Sequence, residues 1–150
     1  MDIPPNVFIP ICIEQGAVYF YHLDIINRDG SSYSGDRFFV ILNANPKTDE
    51  VLILSTITTK IEHQRDFIKR TGEDPSTLVE ISPRDFPPLH ARSAVNCNTI
   101  YQMSLSDLIA KVEAGGKTFT AKLPKVIIAS IVGRSLKSRQ ISPEIKQLLI

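Results

Sequence analysis

Arg37 and the adjacent Thr58-Thr59 pair are the residues of this 150-residue chain whose types and placement suit chemistry on a phosphate. Arg37 opens an apolar run, Arg37-Phe-Phe-Val-Ile-Leu42, directly after a Gly- and Ser-rich stretch, Asn27 to Asp36. Thr58-Thr-Lys60 closes a second run, Glu50-Val-Leu-Ile-Leu-Ser-Thr-Ile57. Paired antiparallel strands put the start of one beside the end of the other. Arg37 and the threonines are therefore expected at one rim, next to the 27–36 segment. A guanidinium grips phosphate through two parallel hydrogen bonds and a hydroxyl adds another, so the set could hold a phosphodiester and stabilise charge developing on its oxygens. The same spacing admits a plainer arrangement, with Arg37 an edge charge paired to Asp36 or Asp49 and the threonines simply ending a strand.

Other chemistries find less support. His22, His63 and His90 are far apart and share no ligand spacing, so no metal or other cofactor is expected. His63 falls on a polar helical stretch and reads as solvated. No G-x-S-x-G elbow, P-loop or dinucleotide fingerprint occurs. Asp49-Glu50 reads as a turn and strand start rather than an acid–base pair. Conventional hydrolase, kinase and dehydrogenase readings fall away. Cys12 and Cys97 are too few for a disulfide framework and, among apolar or small neighbours, read as buried free thiols.

Composition bounds the partners. With 17 basic and 16 acidic side chains the net charge is +1, which excludes a polybasic surface gripping nucleic acid everywhere. The charge is uneven: residues 116–150 hold 7 basic side chains against Glu144 alone. That segment is either a solvated helix face or a surface for RNA, DNA or an acidic partner. The start, Met-Asp-Ile-Pro-Pro, lacks the basic and apolar regions of a signal peptide. No stretch approaches the roughly 18 apolar residues of a membrane span. A cytoplasmic protein with no membrane association is expected.

The elements that must position these residues follow from pattern. Residues 1–15 alternate Pro with apolar residues and suggest an extended arm. Ala17 to His22 is aromatic and β-branched, a strand. Asn27 to Asp36 reads as a long flexible loop. Arg37–Leu42 and Glu50–Ile57 form a hairpin through the turn Asn43 to Asp49, the first of them a central buried strand. A polar helix from Glu62 to Arg70 ends at Gly72. Leu78–Ser82 and Ser93–Tyr101 are further strands, separated by a Pro-rich loop. Ser104 caps a helix to Glu113 whose inward face is Leu105, Leu108, Ile109 and Val112. Thr118–Ala121 is a last short strand, Pro124 opens a helix to about Ser138, and Ser142 caps a final one. Strands first, helices interleaved or last, argue for a single α+β domain built on a small antiparallel barrel. Its parts are the arm, a barrel with inserted helices over 16–122, and C-terminal helices over 123–150.

Gly35-Asp-Arg-Phe-Phe-Val-Ile-Leu42, the turn, the second strand and Thr58-Thr-Lys60 resemble the MazF/PemK (CcdB-like) toxins of bacterial toxin–antitoxin pairs. Gly16 to Phe20 is similar to their opening strand, and Leu123 to Leu136 to their terminal helix. Phe38 stands where that family often has Pro, and Asn96-Cys97-Asn98 where it often has an acidic residue. The resemblance implies an SH3-like barrel, a homodimer, a cognate antitoxin and metal-independent cleavage of single-stranded RNA. In that chemistry the ribose 2′-OH attacks the adjacent phosphate and leaves a cyclic phosphate and a 5′-OH. It implies catalytic roles for Arg37 and Thr59, and substrate contacts from Thr58, Lys60, Ser34 and Gly35. Two alternatives stand beside it. One is a non-catalytic barrel that binds protein or nucleic acid through 116–150. The other is a toxin poisoning a protein target such as gyrase.

Overall fold

The runs Phe38–Leu42 after Arg37 and Leu52–Leu54 before Thr58 are apolar on both sides because both sides are covered. The computed structural model of the chain describes residues 3–26 and 30–150. Its elements, in chain order, are α1 (Pro5–Cys12), β1 (Val18–Ile26), β2 (Ser32–Ile41), β3 (Leu52–Ile57), α2 (Ile61–Arg70), β4 (Leu78–Ile81), β5 (Ser93–Asn96), β6 (Tyr101–Met103), α3 (Leu105–Glu113), β7 (Lys117–Thr118), α4 (Lys125–Lys137) and α5 (Pro143–Gln147). The architecture is α+β. Five antiparallel strands form one sheet in the order β6-β3-β2-β1-β7, and β4 and β5 pair as a second. Among the described residues the large sheet is open, with β6 and β7 as its edges. An isolated bridge from Thr58 to Ala94 ties the end of β3 to the second sheet.

Alternation along each strand sorts side chains to two cores. Tyr19, Tyr21, Phe39, Ile41, Leu52 and Leu54 face α1 and α3, burying Ile9, Leu108 and Val112. Val18, Val40, Ile53 and Ile57 face the β4–β5 pair and the C-terminal helices, around Phe86, Val95 and Ile131. Residues of β2 are thus enclosed on either side, and the run Phe38–Leu42 is apolar throughout for that reason. Tyr21 and Phe39 stack with ring centroids 4.1 Å apart, a contact worth about 0.5–1.5 kcal/mol beyond its burial.

The helix ends follow the expected chemistry. Ser104 Oγ accepts from the Asp107 N–H at 3.1 Å and Ser142 Oγ from the Ile145 N–H at 3.4 Å. Gly72 closes α2 in the left-handed region at φ +74°, where other residues are strained. No helix of the described residues is long and apolar enough to cross a membrane.

Four expectations need correction. The 1–15 arm contains a helix, α1. Pro5 sits in its first turn, where the missing N–H would have no partner. Pro10 lies inside, at a cost of about 3 kcal/mol, but Ile9 and Ile13 are both buried. Their burial contributes roughly 1.5–3 kcal/mol each, so packing wins over the proline. The flexible loop over 27–36 is also overturned where it is described: from Ser32 onward it is β2, paired residue by residue with His22 to Ile26. The partner strand overrides the Gly and Ser composition, and side chains bond across the ladder; residues 27–29 lie outside the described ones. The strand over 93–101 is two strands, β5 and β6. Asn96 Oδ1 accepts from the Asn98 N–H at 3.0 Å, an Asx turn that redirects the chain from β4 to β3. Finally, Cys97 is buried as expected but Cys12 is exposed, on the outer side of α1.

Candidate functional site

The β2–β3 register pairs Phe38 with Ile57, so Arg37 arrives across from Thr58, where β3 leaves the large sheet. Arg37 projects to the same side as Phe39, but α1 and α3 end short of it. The uncovered sheet surface beyond them forms a cleft of about 300 Å³, with Leu23, Ile25, Tyr33, Arg37, Thr56 and Tyr101 from the strands. Thr58 and Lys60 from the strand exit, and His63 and Gln64 from α2, complete it. Helix α2 stands there because Ile68 anchors it in the interior while most of its other residues are polar. Expected site residues Arg37, Thr58 and Lys60 are therefore brought together.

The cleft is cationic and aromatic, and among the described residues no Asp or Glu lines it. The Arg37 guanidinium carbon lies 4.4 Å from the centroid of the Tyr33 ring, and the Lys60 ammonium 6.0 Å from the same centroid. Neither cation has a carboxylate partner among the described residues. Arg37 does not pair with Asp36 or Asp49, the arrangement that its spacing also admitted. Asp36 bonds His22 on the opposite face of the ribbon at 3.2 Å, and Asp49 accepts from Asn43 Nδ2 at 3.0 Å. Burial raises the Tyr101 phenol above its ordinary value, and the positive charge of Arg37 works against that rise. A strong guanidinium left without a counter-ion beside two tyrosines is a ready receptor for an anion with a flat ring attached.

Around Thr58 the backbone is locked. Its N–H donates to the Ala94 carbonyl at 3.0 Å and its carbonyl accepts from the Ala94 N–H at 2.8 Å. Its Oγ1 accepts from the Lys60 N–H at 3.2 Å, which leaves the hydroxyl hydrogen to donate. Thr59, one residue on, turns the other way. It lines a smaller groove of about 140 Å³ with Phe38, Leu89, His90 and Ser93, and Arg37 and Thr58 border both spaces. Thr58, rather than Thr59, thus shares the large cleft with Arg37.

No family model matches the chain, and no curated protein matches it.

Ser34 and Gly35 stand apart from the cleft. Gly35 follows the Arg37 side of β2, but the space beside it is filled by the Tyr33 hydroxyl. Ser34 faces away and joins an exposed bracket across β1 and β2. Its hydroxyl donates to Asp24 Oδ1 at 2.6 Å and lies 2.8 Å from His22 Nε2. The other ring nitrogen of His22 contacts Asp36, and Nε2 also lies 3.1 Å from Asp24. Held between two carboxylates, first Asp36 and then Asp24, the His22 imidazole has its pKa raised. The Ser34 bond chiefly holds Asp24 below its ordinary value.

Three of the seven basic side chains in the C-terminal segment are held by hydrogen bonds or ion pairs within the fold. Lys122 pairs with Glu14 at 3.2 Å, and Arg134 donates to the Ser76 carbonyl at 2.6 Å and to Ser130 Oγ at 2.9 Å. Arg139 donates to the Gly72 carbonyl at 2.9 Å and lies 3.6 Å from Glu73. Among the described residues no cluster of His, Cys, Asp and Glu is disposed to hold a metal ion. Cys97 is no nucleophile: burial pushes its thiol up to about 12.

Tyr33, Tyr101, His63 and Gln64 are cleft residues that local pattern does not disclose. Tyr33 was hidden by the loop-like composition around it. His63 and Gln64 carry a signal in hindsight, since a helix beginning directly after Thr58-Thr59-Lys60 must place its first turn beside that strand end.

Proposed function

We propose that the protein is a metal-independent endoribonuclease acting on single-stranded RNA, the toxin of a toxin–antitoxin pair. The observation that carries this reading is the pair Arg37 and Lys60 beside Tyr33, neither with a carboxylate partner among the described residues, in one cleft. Such a site attracts the phosphate of a strand whose bases are free to lie against aromatic rings. The resemblance of Gly35–Leu42 and Thr58-Thr-Lys60 to the MazF/PemK toxins supplies the reaction. It also supplies the SH3-like barrel, the homodimer and the antitoxin partner, which are proposed with it. The bridge between Thr58 and Ala94 supports the barrel, since it continues β3 into the second sheet.

The chemistry asks little of the protein beyond charge and proton management. The ribose 2′-oxygen attacks phosphorus, the bond to the 5′-oxygen breaks, and a 2′,3′-cyclic phosphate and a 5′-OH remain. Arg37 holds two phosphate oxygens and stabilises the negative charge that grows on them in the pentacoordinate state. Thr58 donates its hydroxyl hydrogen to one of those oxygens, and Thr59 contacts the strand where it continues into the smaller groove. Lys60 neutralises the neighbouring phosphate. His63 takes the 2′-OH proton as general base, and a proton from solvent water completes the departing 5′-OH.

Incubation of purified protein with single-stranded RNA in EDTA tests the reading. Fragments ending in a cyclic phosphate are expected, and Arg37→Ala is expected to stop their formation. Intact RNA with the wild-type protein, or equal cutting by Arg37→Ala, overturns it. Relaxed plasmid in a parallel supercoiling assay, with RNA intact, would point instead to a gyrase target. Salt-sensitive RNA retention without product would mark a binding module.

A further inference from the structure

A chain of amides runs from the interior to the wall of the Arg37 cleft, and its direction is fixed. The Asn98 backbone N–H, which can only donate, reaches the Asn96 side chain at 3.0 Å, so the atom it meets is Oδ1. The Asn98 side-chain amide donates to the same oxygen at 3.0 Å and to Thr77 Oγ1 at 2.7 Å. The other end of the Asn96 amide must then be Nδ2, and it donates to Gln64 at 3.1 Å. Gln64 therefore turns its oxygen inward. Its Nε2, with two hydrogens and no partner among the described residues, is the end left to the cleft that Gln64 lines.

We infer that Gln64 is a specificity-determining residue that selects nucleobases carrying a keto oxygen, uracil or guanine, over those carrying an amino group at the same position. Uracil O4 and guanine O6 accept hydrogen bonds, whereas the amino groups of cytosine and adenine donate. A donor aimed at the base from Gln64 satisfies the first pair and confronts the second with donor against donor. A free glutamine could rotate its amide and accept either class. Here Asn96 prevents the rotation, because turning Gln64 over would set two N–H groups face to face in a half-buried place, leaving both unsatisfied. Asn96 is thus a positioning residue: buried itself, it acts through Gln64. The inference rests on the reading of the Arg37 cleft as a site for single-stranded RNA.

Binding of uncleavable oligonucleotides separates base choice from catalysis. Fluorescence anisotropy with 2′-fluoro oligo-U and 2′-fluoro oligo-C, which lack the attacking hydroxyl, is expected to show tighter binding of oligo-U. A preference on the order of tenfold matches one well-formed base contact. Gln64→Glu replaces the donor by an acceptor and is expected to reverse the ratio in favour of oligo-C. Its added charge weakens both complexes, so the ratio is the readout. Asn96→Leu should bring the ratio near one while Gln64 itself is unchanged. Because Asn96 is interior and Gln64 only half-buried, the Gln64 variant decides if the Asn96 variant unfolds. Equal binding of the two oligonucleotides by the wild type, or an unchanged ratio in Gln64→Glu, overturns the inference. If the ratio behaves as expected while native RNA stays intact, the nuclease reading fails and base selection by Gln64 stands.

Discussion

The guanidinium of Arg37 stacks on the ring of Tyr33, 4.4 Å from its centroid, and the two residues reach each other along one face of a single strand, four positions apart. That contact restrains the Arg37 side chain before any ligand arrives. An anion then meets a preset fork rather than a mobile charge, and less side-chain entropy is lost on binding.

Arg37→Lys keeps the charge and removes both the fork and the stack. RNA cleavage under the proposed function is expected to fall on the order of a hundredfold or more, consistent with loss of a transition-state donor. Single-turnover cleavage measures it. A lysine variant cutting at the wild-type rate would show that charge alone suffices.

The threonines separate cleanly. Thr58→Val should lower the cleavage rate roughly tenfold, the worth of one hydrogen bond to a charged group. Thr59→Val, altering the neighbouring groove, should act mainly on substrate affinity. Comparison of kcat and KM for the two variants checks this, and an inverse pattern would move the reacting phosphate into the Thr59 groove.

The His22 bracket makes the β1–β2 ribbon pH-dependent. The His22 pKa is raised above its ordinary 6.5, so its stabilising contribution is complete below that value. The contribution is lost as pH climbs through the raised one. Asp24 is lowered from its ordinary 3.8, so its contribution is present above that value and fades as pH falls through the lowered one. Amide exchange in Leu23–Ile26 and Ser32–Gly35, corrected for intrinsic rates, should be slowest between the two limits. His22→Ala should remove the alkaline limit; an identical profile in that variant would exclude the bracket as its cause.

Gly16 joins α1 to β1 at φ +89°, and a methyl group there would collide with the Cδ1 of Ile128 in α4. Gly16→Ala is expected to destabilise the fold by about 1–3 kcal/mol, combining a left-handed backbone with overpacking. Denaturant titration measures it, and a midpoint unchanged from wild type would contradict the close approach.

The two thiols should differ in kind. A thiol reagent added to native protein is expected to modify exposed Cys12 quickly and buried Cys97 only after unfolding. Mass spectrometry of the labelled peptides decides it, and labelling of both at similar rates would mean that the core around Cys97 opens readily.

What local pattern discloses here is what depends on neighbours in sequence. The runs ending at Leu42 and Ile57 read as strands because each is enclosed on both faces, and Ser104 and Ser142 announce helices because a cap acts within three residues. Local pattern misleads where a distant partner decides. Pro10 argues against a helix until Ile9 and Ile13 find the sheet, and Ser32 to Asp36 look like loop until β1 pairs with them. The cleft divides the same way. Arg37, Thr58 and Lys60 were legible because a hairpin register relates them. Tyr101 joins them through a contact between elements far apart in the chain, and Ser34 is excluded by the two-residue repeat of a strand that composition had disguised.

Beyond Arg37 and Tyr21, among the described residues β1 and β2 pair only with each other: β3 joins from Phe38 and β7 reaches Tyr19 and Phe20. The cleft thus has one jaw in the main sheet, holding Arg37 and Thr58, and one on a projecting two-stranded blade, holding Tyr33 and Ile25. Two-stranded blades are marginal alone, so local opening of this jaw costs less free energy than unfolding of the whole fold. Whatever fills the cleft stiffens the blade, and whatever stiffens the blade tightens the grip. The outer face of the blade, with His22 at its centre, is therefore a handle on the cleft from a side that no cleft ligand touches.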